Sequence, residues 1–333
     1  MTTQPQNNQP TDQWDVAIIG GGAAGLSAAL ILARAQRRVL VLDAGKPRNG
    51  VAPHMHGVLS RDGYSPLSLV EDGRREVCAA GGVIETVRVT DTTKTTDGFD
   101  LITETGARIR AGRLIVATGI RDDLPAIDGL AAHWGQGVVA CPFCDGYEAR
   151  GSRIGVLATS VAGLHKAHML RAYSPRLTVF TGLVGPIPDA DRRALEARGI
   201  VIEDRTVTGV VTENGAVSGL EVNDGTHIAV DVVFAEPRMV ALDEPLRQLG
   251  AELTDTPAGP WTKVDPSGKT SIDGVWAAGN SANPGALVPV AAASGVTAAV
   301  AINSELVAED IRLALRISAA EGAPERMPRP AGR

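Results

Sequence analysis

The chain has 333 residues, 44% of them hydrophobic, enough to bury one large core or two medium ones. A formal charge of −6 leaves no broad basic surface and argues against nucleic acid or anionic lipid as a partner. Three cysteines cannot close a disulfide framework, and a close pair in a reducing compartment is more often redox-active or metal-binding than structural.

Residues 1–13 are rich in Gln, Asn, Pro and Thr and lack the basic and apolar regions of a signal peptide, so they read as a disordered tail of a cytoplasmic protein. From Asp15, DVAIIGGGAAGLSAALILARAQRRVLVLDAG reads as strand, glycine cluster, helix and second strand ending in an acid. Gly20, Gly22 and Gly25 form a G-x-G-x-x-G. The first turns tightly, the second lets the backbone approach a pyrophosphate, and the third lets helix meet strand. Ala23 and Ala24 open the helix, whose N-terminus faces the phosphates, and the Asp43 carboxylate can accept hydrogen bonds from a ribose.

RNGVAPHMHGVLSRDG at 48–63 is a polar loop carrying His54 and His56. His54 reads as a solvated loop histidine, and His56 equally as that or as a proton carrier, since imidazole titrates near neutrality. Cys78, alone in a helical context, reads as a small buried hydrophobe. Pieces at 83–90 and 98–104, parted by Asp97-Gly98, read as a small β-meander, and RLIVATG at 113–119 as a strand closing on Thr118 and Gly119.

CPFCDGYE at 141–148 is the most informative stretch. Two cysteines separated by two residues can close a small ring, and one thiol of such a pair is commonly a thiolate near neutral pH, the nucleophile of disulfide exchange. A zinc site needs four ligands and the sequence has no second C-x-x-C, while a purely structural bridge over so short a loop removes little unfolded-chain entropy. Asp145 next to the pair can shuttle the proton that moves when thiol and thiolate interchange; the alternative is an Asx turn before Gly146.

IGVLATSVAGLHKAHMLRAYSPRLTVFTG repeats the βαβ pattern with a helix of the same length. Aligned on the first unit, Ala158 falls on Gly20, Ser160 on Gly22, Gly163 on Gly25 and Thr181 on Asp43. Ala158 and Ser160 then place side chains where a pyrophosphate should approach the backbone. Pieces at 200–211 and 216–222, the latter after Asn214-Gly215, read as a second meander. GVWAAGN at 274–280 is another short strand closing on glycine. The apolar run Ala286–Ile302 is broken by Pro289, Ser294 and Gly295 and is poor material for a membrane span, and the segment after 318 reads as a disordered tail.

The glycine motif, the strand ending Ala-Thr-Gly, the C-x-x-C followed by Asp-Gly and the second βαβ unit together resemble the thioredoxin reductase family from Asp15 to about Glu309. The resemblance implies an α/β fold of two Rossmann-like dinucleotide-binding domains, FAD as cofactor, and a homodimer. By the same resemblance Cys144 is the flavin-proximal sulfur, Cys141 exchanges with substrate, and Asp145 is the acid/base. Asn280 takes the place of the family's usual Asp beside the ribityl-pyrophosphate region. Leu287 and Val288 stand where a Gln is usual, leaving N–H groups at the start of the last helix to face the flavin pyrimidine.

In that family the second unit holds NADPH through a glycine turn and a basic cluster. Here both are lost, with no Arg or Lys after Thr181 until Arg192, so NAD(P)H binding is expected to be weak or absent; the alternative is that the two side chains are tolerated. The Arg-Asn, His-x-His and Asp-Gly pattern at 48–63 resembles the family's oxidase branch, which closes the disulfides of gliotoxin and holomycin, and implies that Arg48 and Asn49 face FAD.

The expected layout is an FAD domain at 14–122 and 243–318, with an NAD(P)H-like domain at 123–242 carrying the cysteines and two chain crossings forming a hinge. The expected function is a dithiol oxidase acting on a small-molecule dithiol of natural-product type, passing electrons through Cys141 and Cys144 to FAD and on to O2 as H2O2. The alternatives are a disulfide reductase fed by NAD(P)H or a carrier such as ferredoxin, and a flavin-bound redox sensor.

Overall fold

The computed structural model describes residues 13–321. In chain order the first elements are β1 (Gln13–Ile19), α1 (Ala23–Arg34), β2 (Val39–Asp43), α2 (Pro66–Ala79), β3 (Val83–Thr86), β4 (Val89–Thr95), β5 (Gly98–Thr103) and β6 (Arg108–Val116). A crossing strand, β7 (Ile120–Asp123), leads to β8 (Val138–Val139), α3 (Pro142–Asp145), β9 (Ile154–Leu157), α4 (Leu164–Leu170), β10 (Leu177–Phe180), α5 (Asp189–Ala197) and β11 (Val201–Glu203). There follow β12 (Val207–Glu213), β13 (Ala216–Val222), β14 (His227–Ala229), β15 (Val232–Ala235), the returning strand β16 (Arg238–Ala241), α6 (Glu244–Gln248), β17 (Leu253–Thr256), β18 (Gly259–Thr262), β19 (Val275–Ala277) and α7 (Val288–Glu321).

β2 and the C-terminal ends of β1 and β6 are buried on both faces, as befits a sheet covered on both sides. Val16, Ile18, Val39, Val41 and Ile115 pack with α1 and α7 in one core, while Ala17, Ile19, Leu40, Leu42, Leu114 and Val116 pack in the other. The sheet order is β3-β2-β1-β6-β5-β4, with β19 also pairing β6. Strands β3, β2, β1, β6 and β19 run parallel, and β5 and β4 turn back antiparallel. A second sheet, all parallel, has the order β11-β10-β9-β15-β8, with its own cores on either side. The two crossings of the chain lie side by side, since β7 and β16 pair antiparallel from Ile120–Ala241 to Asp123–Arg238.

Several boundaries depart from the sequence reading. Gln13 belongs to β1 rather than to a tail, and residues 1–12 and 322–333 lie outside the described residues. The piece at 83–90 divides, β3 joining the parallel sheet and β4 the antiparallel extension; 200–211 divides likewise into β11 and β12. The Asn214-Gly215 turn between β12 and β13 is as expected, with φ of 51° and 81°. The second-unit helix is not matched in length: α4 has 7 residues against 12 in α1, since residues 161–163 form turns.

α7 runs without a break through Ser294 and Gly295 to Glu321, past the expected end at 318. Pro289 sits in its first turn, where no N–H is missed. The stretch Val288–Ala319 is long and apolar enough to span a membrane by length and composition alone, a test that a buried core helix also passes. Ala291, Ala298, Ala299 and Ile302 nevertheless pack into the first core, and a Cβ at Gly295 would strike the Ala24 carbonyl of α1, so the glycine permits close helix contact. Cys78 is exposed; its neighbour Val77 is the buried residue of that turn.

Candidate active site

The glycines of the first turn divide their work as the motif demands. Gly20 has φ +108° against the Ala117 carbonyl, and a Cβ on Gly25 would strike the Gly20 carbonyl, so both are required for packing. Gly22, the N-cap of α1, is different: a Cβ there would meet nothing within 4 Å. The open ground before it, at a helix start with unpaired N–H groups, fits the pyrophosphate of FAD. Gly20, Gly22, Ala23, Ala24, Asp43, Arg48, Asn49, Thr118, Gly119, Asn280 and Val288 all line one cleft, whereas Gly25 sits behind it.

Asp43 has one oxygen on the Gly21 N–H at 3.1 Å and the other on Arg74 Nη1 at 3.0 Å, so Arg74, which carries no sequence signal, orients the acid. Ser281, also unforeseen, is fully buried; its Oγ accepts the Gly119 N–H at 2.8 Å and lies 3.2 Å from Thr118 Oγ1, tying the ends of β6 and β19 together.

Two residues expected to contact the cofactor also make hydrogen bonds within the protein. Arg48, on the cleft wall, forms a bidentate pair with Asp122, both bonds 2.7 Å, which ties its guanidinium to β7. The Asn280 amide donates to the carbonyls of Asn283 (3.2 Å), Pro284 (2.9 Å) and Ala286 (3.1 Å), shaping the loop before α7. Without the charge of an Asp, that side chain can donate inward to the loop.

Cys141 and Cys144 form a disulfide that opens into the same cleft. Cys141 caps the short helix α3, its Sγ accepting the Cys144 N–H at 3.2 Å, a bond that favours negative charge on that sulfur once the disulfide opens. Phe143 and Tyr147 stand exposed beside the pair. Asp145 is not in an Asx turn: Gly146 has φ −65° and the chain continues helically, Ala149 N–H donating to the Asp145 carbonyl at 3.1 Å.

Burial pushes the Asp145 carboxyl up to about 6, reinforced by nearby Glu148 and opposed by His56. His56 Nδ1 lies 3.6 Å from Asp62 and 3.7 Å from Glu148, too far for a direct hydrogen bond but within charge range. The Gly57 N–H, donating to Asp62 at 2.8 Å, holds that carboxyl below the usual range, with His56 adding to the effect. His56 is thus grouped with the C-x-x-C, whereas His54 is exposed, with Nδ1 3.1 Å from the Gly63 carbonyl. Glu148 is one helical turn beyond Asp145, the signal by which sequence could have found it.

In the second unit the Ala158 methyl is buried among Ile154, Val156 and Leu164 and does not project into a phosphate path. The same turn holds the Glu236 carboxylate, which accepts the N–H groups of Thr159 and Ser160. Thr181 Oγ1 is bonded to Asp204 at 2.7 Å.

Residues 14–295 match the family described as pyridine nucleotide-disulphide oxidoreductase. Thioredoxin reductase sirT of Leptosphaeria maculans is 30% identical over 322 residues, covering 92% of this chain and 98% of the relative. Thioredoxin reductase tcpT of Claviceps purpurea is 31% identical over 312 residues, covering 89% and 95%. Among solved structures, that of HlmI superimposes with a TM-score of 0.89 at 41% identity, covering 94% of this chain and 99% of its own. The chain belongs to the pyridine nucleotide-disulphide oxidoreductase family, as an FAD-dependent thiol–disulfide oxidoreductase.

Proposed function

We propose that this protein is a dithiol oxidase that closes a disulfide in a small-molecule dithiol of natural-product type. The observation that carries the reading is the opening of the Cys141–Cys144 disulfide into the cleft that fits FAD, while the second dinucleotide turn is filled by a side chain of the protein itself. We read 14–122 with 243–318 as the FAD-binding domain and 123–242 as the domain that carries the cysteines.

A substrate thiolate attacks Cys141 Sγ, forming a mixed disulfide and releasing Cys144 as thiolate. The second substrate sulfur, deprotonated, attacks the first, closing the substrate disulfide and expelling Cys141 as thiolate. The Cys144 N–H at 3.2 Å stabilises that leaving sulfur. Two protons leave the substrate thiols; Asp145, poised near neutrality, accepts one at a time, and His56 between Asp62 and Glu148 relays them to solvent. Bound FAD supplies the two-electron acceptor that recloses the Cys141–Cys144 bond, with O2 as terminal oxidant and H2O2 as product. In this reading Gly22, Ala23 and Ala24 hold the pyrophosphate, Asp43 a ribose, and Asn49, Thr118, Gly119 and Val288 line the flavin.

The reading includes a cytoplasmic homodimer. An exposed free thiol at Cys78 suits a reducing compartment, and exposed aliphatic side chains along α7 offer a self-association face.

The test is an anaerobic titration of the flavin absorbance with NADPH, NADH and then a small dithiol. Bleaching by the dithiol alone, reversed in air with release of peroxide, is the expected result. Rapid bleaching by either nicotinamide would replace the oxidase with a reductase.

A further inference from the structure

Four donors of the β9–α4 turn converge on the carboxylate of Glu236. The N–H groups of Thr159 and Ser160 reach Oε2 at 2.8 and 3.1 Å. The Thr159 hydroxyl donates to Oε2 at 3.0 Å and the Ser160 hydroxyl to Oε1 at 3.0 Å. Ser160 Oγ in turn accepts the Gly163 N–H at 3.0 Å, so the turn is closed around the acid. Backbone N–H groups in a strand-to-helix turn are the donors a dinucleotide pyrophosphate takes. Here an anion of the chain already has them.

Glu236 reaches the turn because β15 lies beside β9 in parallel, pairing Ala235 with Leu157, and the next residue of each strand emerges at the same C-terminal end. The glycine at 163 has a different reason from its counterpart at 25. A Cβ on Gly25 would strike its own turn, whereas a Cβ on Gly163 would strike the Glu236 carboxylate. Its small size makes room for the acid. Lys166 donates to the Ala235 carbonyl at 2.6 Å behind the turn and supplies a partly buried positive charge beside Glu236.

We propose that Glu236 is a built-in anion that occupies the phosphate cradle of the second unit and bars nicotinamide dinucleotides from it. An incoming pyrophosphate must displace a carboxylate held by four donors and lie against a like charge. The inference concerns the ligand that the second unit refuses, and it stands whichever way electrons flow through the cysteines.

The test is equilibrium binding of NADPH and of NADH to the FAD-loaded protein, comparing wild type with Glu236→Ala and Glu236→Gln. Wild type should bind neither measurably. Glu236→Ala should gain affinity for at least one of them by about tenfold or more, with Glu236→Gln in between. Its rate of dithiol oxidation should be unchanged. A Glu236→Ala protein that keeps its flavin and melting temperature but binds no better than wild type overturns the proposal, as does tight binding by wild type. Hydrogen exchange on wild type decides independently of either variant's folding: the Thr159 and Ser160 amides should be protected, and free-loop exchange rates there would rule the plug out. Failure of wild type to oxidise any dithiol would remove the oxidase reading and leave these binding results untouched.

Discussion

Arg48 grips Asp122 through two parallel bonds of 2.7 Å, joining the loop after β2 to the strand on which the chain leaves the first sheet. The Asp122 side chain is 6% exposed and that of Arg48 35%. Removing the arginine leaves a buried carboxylate without its hydrogen-bonding partner. Arg48→Met should therefore lower the unfolding free energy by about 2 kcal/mol, less than for a fully buried pair because Arg48 is partly solvated. Adding Asp122→Asn should restore part of the loss. Urea denaturation of the single and double variants measures both, and an unmoved midpoint in Arg48→Met would show that the pair is not structural.

The first-turn glycines should separate folding from cofactor binding. A methyl on Gly25 strikes the Gly20 carbonyl, so Gly25→Ala should yield little folded protein. A methyl on Gly22 meets nothing within 4 Å and the backbone there has φ −81°, so Gly22→Ala should fold. Its methyl stands on the ground the pyrophosphate needs, and FAD affinity should drop by about tenfold or more, about 1.4 kcal/mol. Flavin-to-protein absorbance ratios beside thermal melts distinguish the two variants. Full flavin retention in Gly22→Ala would place the pyrophosphate elsewhere.

The range of each interaction decides how legible it is in the sequence. Gly20, Gly22, Gly25, Asp43 and the Cys141–Cys144 pair are local patterns whose spacing carries their chemistry, and the structure brings all but Gly25 to one cleft. The side-chain partners were not legible. Glu236 lies 76 residues from Ser160 and Ser281 lies 162 from Gly119, and nothing near either residue marks it. Arg48 and Asn280 were placed in the right neighbourhood, but their hydrogen bonds go to protein groups that only the fold brings close. Cys78 is exposed rather than buried because helical context does not say which face a residue occupies, and in α2 the buried face passes through Val77.

The charges around Asp145 predict opposite displacements of one pH profile. With its carboxyl at about 6, the base form needed to accept a thiol proton accumulates as pH rises through that value, so dithiol oxidation should gain an ascending limb there. Glu148 raises the Asp145 value and His56 lowers it. Glu148→Gln should accordingly move the limb to lower pH and His56→Gln to higher pH, while Asp145→Asn should abolish it with a large loss of rate. Stability runs the opposite way with pH. The raised value means that the folded state binds Asp145's proton more tightly than the unfolded chain, so this contribution is present below the ordinary Asp range and fades as pH climbs through about 6. Asp145→Asn should thus be relatively more stable at pH 8 than at pH 4. Stopped-flow rates and melting curves across that range check both, and a limb that stays fixed in both charge variants would detach it from Asp145.

The far side of α7 predicts the state of assembly. Val296, Val300, Val307, Ile311 and Leu315 are spaced by one or two helical turns and are 36%, 53%, 42%, 55% and 66% exposed, forming an aliphatic stripe opposite the face that packs on α1. A stripe of that length left in water is unusual for a monomer, and an isologous contact between two copies would bury it on both at once. The protein should sediment as a dimer. Ile311→Lys together with Leu315→Lys should shift it to monomer while leaving the flavin bound, because neither side chain reaches the core that shapes the cleft. Sedimentation velocity with flavin absorbance as the signal reads mass and cofactor together. A monomeric wild type, or a lysine variant that remains dimeric, would move the interface away from α7.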